Sequence, residues 1–157
     1  MSCRTADVME APGVEGLGIE RATDTVSLTE FARINAENWE PADTRVEEYY
    51  RRSADRLLAS DSPLRFYVAR LAGAAVAGVE VCLADAALGI YNLSTRRDHR
   101  NFGIGAWLLT RSILVSATET GATRAVLQAA PAATGLYRRI GFAEFGRITE
   151  LKPVRSV

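Results

Sequence analysis

The run Arg100-Asn101-Phe102-Gly103-Ile104-Gly105-Ala106 constrains this chain more than any other. It sets two glycines between a strand-like segment, Ile90 to Thr95, and an apolar helical pattern running from Gly103 to about Thr118. Glycine lets the backbone turn sharply and come close to a ligand. The first N–H groups of a helix lack intrahelical acceptors and sit at the positive end of the helix dipole. The run therefore reads as an anion cradle suited to a phosphate or pyrophosphate, with turn geometry alone as the alternative reading of its glycines. A Walker phosphate loop is excluded because no Gly-Lys-Ser/Thr follows. The dinucleotide fingerprint fails at Leu108, which stands where its third glycine belongs.

Around this run the pattern alternates between helix and strand. Residues 1–18 carry Gly, Pro and scattered charge without period, and read as a flexible N-terminal tail ahead of a first strand near Ile19. Ser27-Leu28-Thr29-Glu30 and Thr44-Arg45-Val46-Glu47 have capping-box spacing and open two amphipathic helices. Three strands follow, over Phe66–Ala69, Ala75–Leu83 and Leu88–Thr95. After the glycine run comes a helix in which Arg111 interrupts the apolar face. A short strand at Ala125–Gln128, a helix from Ala132 to Ile140 stopped by Gly141, and a last strand from Phe142 to Leu151 complete the order β-α-α-β-β-β-α-β-α-β. Residues 19–157 are expected to form a single domain.

Composition narrows the partners. Nineteen basic and nineteen acidic residues leave no net charge, so nothing draws the chain to nucleic acid or an anionic membrane. No apolar run approaches the ~18 residues of a membrane helix, and the first residues lack a signal peptide's basic start and apolar core, so the expected compartment is the cytoplasm. Cys3 and Cys82 do not suggest a disulfide framework. His99 is the only histidine, so no metal site is expected. Lys152 is the only lysine, a bias that hints at a GC-rich bacterial genome.

Arg100, Gly103 and Gly105, preceded by a strand and followed by a helix, match Arg/Gln-x-x-Gly-x-Gly/Ala. Later, Leu136-Tyr137-Arg138-Arg139-Ile140-Gly141-Phe142 matches Leu-Tyr-x-x-x-Gly-Phe. With these two motifs in order, the chain resembles the GNAT superfamily of acetyl-CoA-dependent N-acetyltransferases over roughly residues 19 to 152. It departs from the family pattern at Arg97, His99 and Ala130. The resemblance implies a mixed α/β fold in which the strand ending at Leu93-Ser94-Thr95 parts from the strand at 125–127. The pantetheine arm of acetyl-CoA would enter that gap, contacting Leu93, Ser94 and Thr95, with its pyrophosphate on Arg100, Asn101, Phe102, Gly103, Ile104, Gly105 and Ala106.

The resemblance further implies acetyl transfer to a primary amine by direct attack in a ternary complex, with the acceptor expected to be a small molecule. A protein N-terminal acetyltransferase and a non-catalytic acyl-CoA sensor are the alternatives. The Leu93 amide would take the thioester carbonyl and Tyr137 would protonate the leaving sulfur. Glu80 is the candidate base, with an ordinary solvent-facing strand glutamate as its other reading. Asn92, expected to face the same way as Ile90 and Ser94, could hold a water or the substrate. Trp39 and Tyr50 would line the acceptor side. A homodimer is compatible with the family.

Overall fold

The computed structural model describes residues 1–149 and 151. In chain order its elements are β1 (Ser2–Arg4), β2 (Leu17–Arg21), α1 (Thr25–Ala36), α2 (Thr44–Leu57), β3 (Leu64–Leu71), β4 (Ala74–Ala84), β5 (Ala87–Thr95), α3 (Ile104–Thr120), β6 (Arg124–Leu127) and α4 (Thr134–Arg139). The strands form one six-stranded sheet in the order β1-β6-β5-β4-β3-β2. The β5–β6 pair is parallel and every other pair antiparallel. This is a mixed α/β fold.

Side chains alternate across a strand, and the sheet accordingly builds a core on each face. On one face, Leu28 and Phe31 of α1 and Tyr50 and Leu57 of α2 pack on Phe66 and Val68. The Phe31 ring centre lies 5.1 Å from Phe66 and 5.2 Å from Tyr50. Beneath it a Cβ at Gly78 would come within 2.7 Å of the ring, so only glycine lets α1 settle this close to β4. On the other face Ile104, Leu108, Leu109 and Ile113 of α3 cover Val79, Val81 and Leu88. The caps lie slightly ahead of the expected boxes. Asp24 accepts from the Ser27 amide at 2.8 Å and Asp43 from the Arg45 amide at 3.0 Å, each satisfying an N-terminal donor.

Residues 1–18, expected as a flexible tail, are built into the sheet and the face of α3. β1 pairs with β6, Cys3 opposite Ala125, and on its other side Ser2 exchanges two 2.9 Å backbone hydrogen bonds with Ala143. Since β1 and β2 occupy opposite edges, residues 5–16 must cross the whole sheet, five inter-strand steps of ~4.8 Å. They do so along the face of α3 that carries Trp107, Thr110 and Arg111. The Ala11 amide donates to Thr110 Oγ1 at 3.3 Å, and Glu10 pairs with Arg111 at 2.6 Å. Arg111, the interruption in an apolar pattern, is thus the anchor of this crossover.

The last strand also differs. Of the segment from Phe142 to Leu151, only Ala143 bridges to a strand, residues 144–149 have no regular structure, and Glu150 and Lys152–Val157 lie outside the described residues. The order therefore gains a strand at its start, and among the described residues the expected final strand is absent. No helix of the described residues is long and apolar enough to cross a membrane.

Gly141 locks these pieces together. It ends α4 at φ +103°, and a Cβ there would lie 2.7 Å from the Asp7 carbonyl oxygen of the crossover. Gly141→Ala therefore combines a strained backbone with a backbone clash, and should cost roughly 2–3 kcal/mol. Urea unfolding measures this directly; an unchanged midpoint would mean that the crossover does not pack against α4 in this way.

Candidate active site

The site begins where two strands part. β5 and β6 pair from Ala87 opposite Arg124 to Ile90 opposite Leu127, and no further. After Leu127 the chain turns away into a short 3-10 turn at Pro131–Ala133 and then α4, leaving Tyr91 to Thr95 without a partner on that side. Backbone groups in such a gap need partners. A cleft of about 1130 Å³ opens here, with Leu93, Ser94 and Thr95 on one wall, Leu136 and Tyr137 on the other, and the start of α3 at its end.

That helix start is built as a concave donor surface. Asn101 and Gly103 both adopt left-handed backbone angles, φ +67° and +81°. Gly103 is the N-cap and no side chain caps the helix. The first intrahelical bond runs from the Trp107 amide to the Gly103 carbonyl, so the amides of Ile104, Gly105 and Ala106 have no acceptor within the helix. These three residues, with Asn101 and Gly103, line the cleft. A Cβ at Gly105 would come within 3.1 Å of Thr95 Oγ1, so glycine there keeps the strand end and the helix start together. Arg100 also lines the cleft, with Nε donating to the Thr95 carbonyl at 2.9 Å and Nη2 to Asn38 Oδ1 at 3.3 Å. Phe102 is 66% exposed and is not among the cleft walls.

Tyr137 projects from α4 into the same cleft, its ring edge-on to Phe142. Burial pushes its phenol above the ordinary tyrosine value. It holds its proton throughout the neutral range.

The remaining candidates gather on the opposite face of β5, because of a bulge. Gly78 pairs with Ser94 and Glu80 with Tyr91, so two residues of β5 stand against one of β4, and Asn92 takes φ +50°. The extra residue breaks the alternation. Ile90 stays in the α3-side core, whereas Asn92 and Ser94 face α1 and α2. The expectation that Asn92 points the same way as Ile90 is thus corrected. Asn92 Nδ2 donates to Glu80 Oε2 at 2.9 Å and to the Tyr50 hydroxyl at 3.1 Å, and that hydroxyl donates to the same Glu80 oxygen at 3.1 Å. Burial first, then the adjacent carboxylate, hold the Tyr50 phenol well above its ordinary value, so it remains a donor. Glu80 Oε1 has no donor among the described residues.

Tyr50 is therefore a core residue with a polar tip, and Trp39, 60% exposed, lies on the α1–α2 loop. Two contributors escaped the sequence reading. Asn35 and Asn38, at the end of α1, bond Ser94 Oγ, and Asn38 links it onward to Arg100. Met9, Glu10, Ala11 and Pro12 of the crossover form a further wall of the cleft. Neither carries a residue pattern; both follow from where the chain is led.

Comparison with known proteins bears on this geometry. The family model described as an acetyltransferase (GNAT) domain matches residues 62–144. No curated protein matches the chain. Among solved structures, a GCN5-related N-acetyltransferase from Kribbella flavida is similar at 20% identity and a TM-score of 0.69, over 89% of this chain and 51% of the other. The chain thus spans about half of that protein. A predicted acetyltransferase with acetyl-CoA from Clostridium acetobutylicum is 18% identical over 87% of this chain and 96% of its own, TM-score 0.69. An aminoglycoside acetyltransferase from an uncultured soil metagenomic sample, in complex with sisomicin, is 19% identical over 90% and 97%, again with a TM-score of 0.69.

Proposed function

Since the chain belongs to the GNAT acetyltransferase family, we propose that it moves the acetyl group of acetyl-CoA to a primary amine of a small molecule, by direct attack in a ternary complex. The observation that carries this reading is the parting of β5 from β6 after Ile90 and Leu127, continuous with the donor-lined start of α3. The unpaired edge offers hydrogen-bonding groups to the amides of a pantetheine arm, and the amides of Ile104, Gly105 and Ala106 suit its pyrophosphate.

Acetyl-CoA supplies an activated thioester, and the chain's own residues do the rest. In keeping with the family resemblance, the Leu93 amide steadies the negative charge that builds on the carbonyl oxygen. Tyr137 holds a proton at its hydroxyl for the departing sulfur. On the other face of β5, Glu80 Oε1 is the open position that takes the amine proton, directly or through a water, while Tyr50 and Asn92 orient the carboxylate through Oε2. Because Glu80 faces Tyr50 of α2, an acceptor amine approaching from the α1–α2 side meets a carboxylate, which favours a cationic small molecule. The structural similarity to an aminoglycoside acetyltransferase bound to sisomicin supports that class.

Titration calorimetry with acetyl-CoA, CoA and ATP tests the reading. Both coenzyme forms should bind in the micromolar range and ATP roughly 100-fold more weakly, because it lacks the arm that fills the gap. Failure to bind either coenzyme form would remove the assignment.

A further inference from the structure

The crossover from β1 to β2 is not needed to complete the cradle, yet it lines the same cleft. We infer that its segment Met9–Pro12 is the wall that receives the nucleotide half of the coenzyme and sets how strongly this chain discriminates for it. This rests on the reading of the cleft as a coenzyme site. With the arm between β5 and α4 and the pyrophosphate on Gly103–Ala106, the remaining 3′-phosphoadenosine falls at the outer end of the cleft. Among the cleft-lining residues that neither the arm walls nor the cradle account for are the crossover and Arg139 of α4.

Three features fit that occupant. Met9 is 54% exposed although it borders a cleft, and with Pro12 it presents an apolar surface of the kind a purine ring covers. Its backbone is fixed, with the Met9 amide donating to the Ile140 carbonyl at 3.2 Å and the Ala11 amide to Thr110 Oγ1 at 3.3 Å. Pro12 also closes on the cradle, its carbonyl oxygen 3.9 Å from where a Gly103 Cβ would stand. The charges agree. Glu10, the one carboxylate lining the cleft, is paired with Arg111, while Arg139 lines it with no ion-pair partner among the described residues. A phosphate-bearing ligand therefore meets net positive charge.

The test compares coenzyme A with 4′-phosphopantetheine, which keeps the arm and one phosphate but lacks the nucleotide. Calorimetry is run on the wild type, Met9→Asp and Met9→Ala. Wild type should bind coenzyme A at least about tenfold more tightly than phosphopantetheine. Met9→Asp should erase most of that advantage, about tenfold, by placing a carboxylate beside the nucleotide. Met9→Ala should lose about threefold, and phosphopantetheine affinity should stay within twofold throughout. Equal loss for both ligands would mean that Met9 acts only on the fold, and no loss for either would mean that the nucleotide lies elsewhere; each overturns the inference. Equal wild-type affinity for the two ligands overturns it while leaving the coenzyme reading standing. A wild type that binds neither ligand overturns both.

Discussion

Gly103→Glu should reduce affinity for coenzyme A by two to three orders of magnitude, while the backbone strain at this position lowers the melting temperature by only about 2–6 °C. The position combines a left-handed backbone, φ +81°, with the N-cap of a helix whose first amides carry no other acceptor. A carboxylate within ~4 Å of a pyrophosphate repels it by about 4 kcal/mol per charge pair at the effective dielectric of a protein surface. The same carboxylate would also occupy the donors itself, as an anion at a helix start does. Gly103→Ala separates charge from conformation, since it carries only the backbone strain and should lose roughly tenfold or less. Calorimetry reads both variants. Wild-type affinity in Gly103→Glu would mean that the phosphates do not sit on α3.

Tyr137→Phe should lower kcat by about 100-fold while the coenzyme dissociation constant stays within twofold of wild type. Phenylalanine retains the edge-on contact with Phe142, whose ring centre is 6.2 Å away, and removes only the hydroxyl. The pH profile carries a second signature. Burial raises the phenol above its ordinary value near 10, so it stays protonated, and able to donate, up to a higher pH than a free tyrosine. Any alkaline loss of rate due to Tyr137 must therefore have its midpoint above the ordinary tyrosine value and be missing in Tyr137→Phe. An unchanged kcat would take Tyr137 out of the reaction and leave the sulfur to depart as the thiolate.

The parts of the site legible in the sequence are the local ones. Arg100 to Ala106 holds the turn, the two glycines and the helix start within one short stretch, and Leu136 to Phe142 likewise spans a helix and its glycine stop. β3, β4 and β5 were readable from their apolar runs, and α3 from its period. What escaped was set by distant partners or by a single inserted residue. β1 is three residues long and exists because β6 and Ala143 offer it edges, which no periodicity over Ser2–Arg4 could announce. The direction of Asn92 depends on a bulge whose only local cue is an asparagine that tolerates a left-handed angle. Glu80 illustrates a third case. Its place in an apolar strand was visible, but the Tyr50 and Asn92 donors that orient it come from α2 and from within that bulge.

The reaction proposed for this cleft is transfer of an acetyl group to an amine. The most direct measurement supplies the wild-type protein with saturating acetyl-CoA and a panel of cationic primary amines, aminoglycosides among them, and follows thiol release together with the acceptor's mass. Thiol release should require an amine and match, mole for mole, an acetyl mass added to one acceptor. Tight coenzyme binding with no amine-dependent thiol release across the panel would contradict it, and would make the chain an acyl-CoA-binding module instead of a transferase.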